Sequence, residues 1–434
     1  MSQNDYVLRT VEERGIGFIQ LWFTDVLGTP KAFHITPQEL ENALEEGMTF
    51  DGSAIDGFSR MQEADVLARP DPSTFQVLPY EGTGSEIARV VCDISNLDGS
   101  PFEGCPRHTL RRVAGQARSE GYTFFVAPEI EYFYFASADP SMTPKPLDRG
   151  GYFDLSVGDP ASALRRRSVK MLEEMGIPVE HAQHEDAPSQ HEVDLRYTDV
   201  LTMADTVMTT RLVLKALASE QGLVASFMPK PLAGVQGSGM HTHCSLWKDE
   251  SNAFADPEDE AGLSSTARSF MAGLLVHAPE ITAITNQWVN SYKRLVPGHE
   301  APVNIGWARS NRSSLVRVPV AKHGRLESTR LEYRAPDSAC NPYLTFAMML
   351  AAGLKGIEGN YVLDDELTST SAVRQRPLPN NLNDAVDLLE NSTLARATLG
   401  DHVVEWFVKN KRSEWAAYKS EITQFELNRY LPVL

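Results

Sequence analysis

Glu129-Ile130-Glu131, Glu192-Val193-Asp194, His241-Thr242-His243-Cys244-Ser245 and Arg330-Leu331-Glu332-Tyr333-Arg334 share one pattern: polar or charged groups recur at every second residue. Their neighbourhoods are strand-like, as in Tyr132-Phe133-Tyr134-Phe135, Ser245-Leu246-Trp247 and Leu315-Val316-Arg317-Val318. In a strand, residues two apart point to the same face. Each stretch therefore aims ionisable groups one way and apolar groups the other. One such strand is an ordinary solvent-facing edge. Four of them, carrying carboxylates, imidazoles and guanidiniums, read as one sheet with a charged concave face. Crowded carboxylates repel one another unless cations offset them.

Taken singly, each acid is ordinary surface charge and His241 an ordinary core histidine. Together, Glu129, Glu131, Glu185, Glu192, His241 and Glu332 offer six ligands, enough for two cations with water completing each shell. Glutamate plus histidine without cysteine pairs suits Mg²⁺ or Mn²⁺ better than structural zinc. Arginines Arg294, Arg312, Arg317, Arg330 and Arg334 accompany the acids, and Arg330 and Arg334 flank Glu332 on its own strand face. Guanidinium forks match phosphate and carboxylate oxygens. Cations plus arginines describe phosphoryl transfer, and no GxxxxGK[ST] motif offers the P-loop alternative. Gly237-Ser238-Gly239, just before the His241 strand, is a place for backbone to approach a ligand. Glu300 lies in a proline- and glycine-framed loop suited to a lid.

The 434 residues are enough for two or more domains, and the composition is that of a globular protein. A net charge of −18 disfavours nucleic acid and anionic membrane as partners. The four cysteines form no CxxC pair, which fits a reducing cytoplasm. No basic-then-apolar leader opens the chain, and the apolar run from Leu344 to Leu354 is too short to span a bilayer and reads as a buried helix.

In chain order, residues 4–14 read as a helix stopped by Gly15 and Gly17, and Ile16 to Thr24 as a strand. A turn at Leu27–Pro30 leads to a second strand, Lys31 to His34. Thr36-Pro37-Gln38-Glu39 has the form of a capping box opening a helix that runs to Gly47. Residues 50–58 read as a glycine-rich loop and Ile87 to Ile94 as a further strand, making a small α+β domain that ends near residue 104. Beyond it come helices at 106–118, from Asp159 to Gly176, at 203–220 and at 263–284, interleaved with the polar strands.

These residues now match a known family. The chain resembles glutamine synthetase of the bacterial type I class over essentially its whole length. The resemblance is carried by Phe50-Asp51-Gly52-Ser53, Pro128-Glu129-Ile130-Glu131, Gly237-Ser238-Gly239-Met240-His241-Thr242-His243, Ser291-Tyr292-Lys293-Arg294, Asn311-Arg312-Ser313 and Arg330-Leu331-Glu332-Tyr333-Arg334. It implies an α+β fold. An N-terminal β-grasp domain, residues 1–104, would precede a catalytic domain, residues 105–434, with a curved, mainly antiparallel sheet of the glutamine synthetase/guanido kinase type flanked by helices. It implies a homo-oligomer, a dodecamer of two hexameric rings, with active sites between subunits and the Asp51 loop donated by the neighbour. Glu131, Glu185 and Glu192 would hold one Mg²⁺ or Mn²⁺, and Glu129, His241 and Glu332 another. Arg312, Arg317 and Arg330 would contact ATP phosphates, with His243 and Ser245 near the nucleotide. Arg294, Arg334 and Gly237 would hold glutamate. Glu300 would be the flap, and Asp51, Tyr152 and Glu185 the ammonium pocket, Asp51 taking the proton. The implied reaction joins glutamate and ammonia through a γ-glutamyl phosphate made from ATP.

The sequence departs from the family pattern in places. Ala54 replaces a serine beside the amine pocket, Gln236 an asparagine beside the glutamate site, Gln183 a histidine, and Ser189 a glycine. The segment that carries an adenylylated tyrosine in one subclass is missing, and the region reads Tyr361-Val362-Leu363-Asp364-Asp365-Glu366. Arg60 stands where the feedback-sensitive subclass has an arginine. The opening Tyr6 to Arg14 is similar to accessory actinobacterial members that join glutamate to polyamines or other amines. Such an amine ligase is therefore the alternative expectation, and a catalytically silent scaffold the third.

Overall fold

A computed structural model describes residues 2–58, 65–80, 86–155, 161–321, 325–367 and 376–434. Arg60 and the helix start expected at Asp159-Pro160 lie outside the described residues. The N-terminal part holds α1 (Gln3–Arg14), β1 (Phe18–Thr24), β2 (Pro30–Ile35), α2 (Leu40–Glu46), β3 (Met48–Asp51), β4 (Asp65–Pro70), β5 (Gln76–Val77) and β6 (Ile87–Ser95). Its six-stranded sheet runs β2-β1-β6-β4-β3, with β5 on β6. Strands β1 and β6 are parallel, β1 and β2 an antiparallel pair. This is the β-grasp arrangement. Gly15 ends α1 at φ 64°, a left-handed cap that glycine adopts without steric cost.

Two expectations fail here. The Thr36 capping box does not form: Pro37–Glu39 make a 3-10 turn, and the Thr36 side chain makes no cap hydrogen bond. Phe50 and Asp51, read as loop, close strand β3 against β4.

The larger part holds α3 (Pro106–Ser119), β7 (Thr123–Phe135), α4 (Ser162–Glu174), β8 (Val179–His184), β9 (Gln190–Leu195), β10 (Thr198–Asp199), α5 (Val200–Glu220), β11 (Val224–Ser226), β12 (Met240–Lys248) and β13 (Ser251–Asn252). There follow α6 (Ser265–Thr285), α7 (Ser291–Arg294), β14 (Trp307–Ala308), β15 (Val316–Arg317), β16 (Leu331–Tyr333), α8 (Pro342–Glu358), α9 (Leu382–Glu390), α10 (Thr393–Leu399), α11 (Asp401–Ser420) and α12 (Gln424–Tyr430). The ten-stranded sheet is ordered β14-β15-β16-β12-β7-β9-β8. Every pair in it is antiparallel except β14 with β15.

In the first half of β7, Phe124, Val126, Pro128 and Ile130 are buried, while Phe125, Ala127 and Glu129 are partly exposed. The buried set packs on α5, α6 and α8 in one large core. Past Glu131 the polar face closes: Phe133 and Phe135 stack at 5.7 Å and pack with Ala187 into a small apolar plug. Helix α8 carries the apolar run and is almost wholly buried, with Asn341 accepting from the Tyr343 amide at its start. It crosses α6 closely enough that a Cβ on Gly273 would lie 2.2 Å from the Ala352 carbonyl oxygen.

The two parts share a core and a buried ion network. Trp22, Val26 and Leu78 join the large cluster. Arg107 binds Asp71 at 2.9 Å and Asp93 at 3.0 Å from the N-terminal part, and Asp205 of α5 at 2.8 Å. Asn341 Nδ2 donates to the Val26 carbonyl at 3.1 Å. No helix among the described residues is long and apolar enough to cross a membrane.

Candidate active site

The four polar stretches lie on neighbouring strands β9, β7, β12 and β16, and their register aligns the side chains in rows. In the first row Glu131 faces Glu192, which faces Gln183. In the second, His241 faces Glu129, Glu129 faces Asp194, and Asp194 faces His181. In the third, His243 faces Glu332, which faces Arg317.

The first row holds two acids and no imidazole. Glu131 is 7 % exposed. Its Oε2 accepts from the Gly239 amide at 2.8 Å and from Gln190 Nε2 at 3.0 Å. Burial, then the Glu185 charge, pushes its pKa up to about 8. Burial and Asp194 hold Glu192 well above the usual carboxylate range. Gln183 Nε2 bridges two acids, donating to Glu192 at 2.6 Å and to Glu185 at 3.2 Å.

Glu129 is the hub of the second row. His241 Nδ1 lies 3.2 Å from its Oε2, and His243 Nε2 lies 2.7 Å from its Oε1. Burial alone would raise Glu129, but His243 and His241 bring it well below the usual value. Burial, with Arg334 beside it, pushes His241 below its usual value, so the ring is neutral, as a metal ligand must be. Ligand atoms of Glu129, His241 and Glu332 lie within 4.8 Å of one another, and so do those of Glu129, Glu192 and Asp194.

Arginines close the third row. Arg317 Nη1 donates to Glu332 Oε2 at 2.7 Å, and Arg334 Nη1 donates to Glu332 Oε1. Arg330 Nε donates to His243 Nδ1 at 3.3 Å. Arg294 is 2 % exposed; it donates to the carbonyls of Ala335 at 2.8 Å, Pro336 at 3.2 Å and Arg334 at 3.2 Å, and faces His241 Nε2 at 3.4 Å. Gly237 is held by Gln190 Nε2 at 3.1 Å, and a Cβ there would meet the Pro229 carbonyl oxygen at 2.3 Å.

A second group stands at the rim. Arg312 lies over the Tyr152 ring at 5.7 Å, with its Nη1 3.9 Å from Glu300 Oε2. Arg334 Nη2 reaches the Glu300 carbonyl at 3.4 Å. Burial and the Glu185 charge raise the Tyr152 hydroxyl, which places this rim beside the first row. Ser245 lies farther along β12, where it accepts from Trp247 Nε1 at 3.1 Å. Asp51 is exposed at the end of β3, its carboxylate accepting the Ser53 amide at 2.8 Å.

The donor set fits divalent cations: carboxylate oxygens dominate, one neutral imidazole joins them, and the crowding is severe enough to leave buried acids protonated without a cation. Asp194 Oδ1 is buried without a hydrogen-bond partner among the described residues. Asp194, the amides of Gln183 and Gln190, and His181 were absent from the expected ligand set. Gln190, Glu192 and Asp194 recur at every second residue of β9, so the period that revealed Glu192 also marks the other two.

Comparison with known proteins gives a consistent result. The family profile for the glutamine synthetase catalytic domain matches residues 103–430, and that for the glutamine synthetase β-grasp domain matches residues 15–97. The glutamine synthetase of Mycolicibacterium smegmatis is 52 % identical over 441 residues, covering 99 % of each chain. That of Methanosarcina mazei is 45 % identical over 440 residues, covering 99 % of this chain and 97 % of the relative. The solved structure of a GmaS/ADP complex superposes with a TM-score of 0.88 at 34 % identity, covering 98 % of this chain and 99 % of that one.

Proposed function

The chain belongs to the glutamine synthetase family, and from that membership we propose how its residues carry out the ATP-dependent joining of glutamate and ammonia. The enzyme forms glutamine through a γ-glutamyl phosphate. The observation that carries this reading is the row of acids on β7, β9, β12 and β16 closed by Arg317 and Arg334, in a chain 45–52 % identical to glutamine synthetases. The amine-ligase alternative is not favoured, since the relatives matched at that identity carry the glutamine synthetase name.

A carboxylate is a poor acyl donor because its leaving group is oxide. Phosphorylation by ATP turns that oxygen into a phosphate leaving group. Glu131, Glu185 and Glu192 would hold one divalent cation, Mg²⁺ or Mn²⁺, and Glu129, His241 and Glu332 another. Cations held there would supply positive charge that offsets the phosphate oxygens. Arg312, Arg317 and Arg330 take the ATP phosphates and neutralise charge that builds as the γ-phosphoryl group moves. His243 and Ser245 lie along the nucleotide. Arg294, Arg334 and the Gly237 backbone position glutamate. Ammonium is not nucleophilic, so Asp51, with Tyr152 and Glu185 forming the pocket, removes its proton. Glu300 closes over the acyl phosphate and keeps water out.

Asp51 closes β3 of the N-terminal part with its side chain exposed, which supports its acting in a neighbour's site, within a dodecamer of two hexameric rings. Phe425, 65 % exposed, and Leu431, 76 % exposed, support assembly, because apolar surface of this kind is normally covered. The division falls between residues 104 and 105. The four free, buried cysteines support a cytoplasmic location. The segment from Tyr361 to Glu366 lacks the adenylylation signature, so the cellular protein should show no mass shift of one AMP.

Phosphate release from Mg·ATP and glutamate, with ammonium, putrescine, spermine or ethanolamine offered separately, tests the reaction. Turnover with ammonium is expected. Turnover with a larger amine alone would overturn the reading in favour of the amine ligase, and none with any amine in favour of the scaffold.

A further inference from the structure

Behind the amine side of the site lies a buried pair with no role in the steps above. Asp148 Oδ1 accepts from the Ser189 amide at 2.9 Å, the Gly150 amide at 3.0 Å and His184 Nε2 at 3.1 Å. His184 Nδ1 faces the Glu185 carbonyl oxygen at 2.7 Å. The two side chains are 9 % and 1 % exposed. One imidazole thus joins the loop that starts at Asp148 to the backbone of Glu185. The loop is pressed on the ring: a Cβ on Gly150 would stand 2.7 Å from His184 Nε2. Its far end is tied as well, since the Phe153 amide donates to the His184 carbonyl at 3.0 Å. Tyr152 lies between these fastenings, and its hydroxyl feels the Glu185 charge. The His184 ring packs at 4.9 Å against His191, which is fully buried, so it has little room to turn.

We propose that Asp148 and His184 are a positioning pair for the amine acceptor, fixing Tyr152 relative to Glu185 and so the size of amine that fits. The inference rests on Tyr152 and Glu185 forming the amine pocket. Neither Asp148 nor His184 touches a substrate; both act through the residues they hold. A slack fastening misplaces Tyr152 and widens the pocket, and an error of about 1 Å in such a group costs up to about a hundredfold. Glutamate, held by Arg294, Arg334 and the Gly237 backbone, should be affected far less.

The test is the kinetics of the full enzyme carrying Asp148→Ala, His184→Gln or Gly150→Ala. Each should raise KM for ammonium about tenfold or more while leaving KM for glutamate within about twofold. Glutamate-dependent ADP formation without ammonium should stay within about twofold of the unsubstituted enzyme, and turnover with methylamine relative to ammonium should rise. Gly150→Ala leaves the Asp148 and His184 side chains in place and only crowds the ring, so it carries the test even if His184→Gln fails to fold. An unchanged KM for ammonium, or a parallel rise in KM for glutamate, overturns the proposal. An unsubstituted enzyme that makes no ADP from glutamate and ATP would instead refute the functional reading itself.

Discussion

Cation binding to the acidic face should release protons, and its affinity should climb with pH. Glu131 is buried, and burial with the Glu185 charge raises its pKa to about 8 in the cation-free protein. At pH 7 roughly nine-tenths of this side chain therefore carries a proton. A ligand carboxylate must be ionised, so binding expels that proton. From pH 6 to pH 7 the apparent affinity should rise about ninefold, close to 1.3 kcal/mol, because one pKa unit corresponds to about 1.36 kcal/mol. The rise should level off above about pH 8. Glu192, also raised, adds to the proton count.

The same shift governs stability without the cation. Glu131 binds its proton more tightly folded than unfolded, so its contribution is full below the usual value of 4.5 and is lost as pH rises through about 8. Divalent cation should offset that loss, most strongly at alkaline pH. Calorimetric titration of Mn²⁺ at pH 6, 7 and 8, in two buffers of different ionisation enthalpy, gives affinity and proton count together. Glu131→Gln should remove the Glu131 share of the proton release at pH 7 and leave that of Glu192. An affinity flat from pH 6 to pH 7 with no protons released would refute the reasoning.

Arg107→Ala should lower the melting temperature sharply, since it leaves the 6 % exposed Asp205 without its ion-pair partner, at a cost of about 3–5 kcal/mol. Asp71 reports on the same network: burial would raise it, but Ser73 and Arg107 hold it below the usual carboxylate range. Its stabilisation is therefore present above the unfolded value and lost as pH falls through the depressed one, so the variant's melting temperature should depend less on acid pH. A melting temperature equal to that of the parent would dismiss this account. Gln183→Leu removes the amide that bridges Glu185 and Glu192, and Mn²⁺ affinity read by electron paramagnetic resonance should fall about 10- to 100-fold. Unaltered Mn²⁺ binding would make Gln183 a bystander.

The charged face was legible because β7, β9, β12 and β16 each place polar groups on a period of two. A strand converts that period directly into a shared face. Register is another matter. That Glu129 stands between His241 and Asp194 depends on how far each strand slides along its neighbour, and no single strand encodes that. The β-grasp part was less readable for a local reason. Strand β4 begins at an aspartate and ends at a proline, and β3 is only four residues long and ends beside Gly52. Turn-forming residues so close to strand ends hide the strand. At Thr36 the error ran the other way. The capping pattern was present, but the chain takes a 3-10 turn from Pro37, and Leu40, wholly buried, begins the helix proper.

Arg294 and Arg312 were equal candidates in the sequence, yet their surroundings are opposite. Arg294 is enclosed by backbone carbonyls beside His241, whereas Arg312 stands exposed over Tyr152 and near Glu300. That contrast runs through the whole site. The groups that need fixed spacing, Glu129, Glu131, Glu192, His241 and Glu332, are on strands whose apolar sides pack into the large core. A rigid ladder can hold like charges at close range because the packing beneath it resists their repulsion. The groups that must admit and release substrate, Tyr152, Glu300 and Arg312, stand on exposed loops, and Glu300 sits at φ 51°, a conformation that a non-glycine residue adopts at a cost. Periodic packing leaves a trace in sequence, and a loop that must move leaves little. The fixed half of the site could therefore be read from residue spacing, while Tyr152 and Asp51 entered through family resemblance alone.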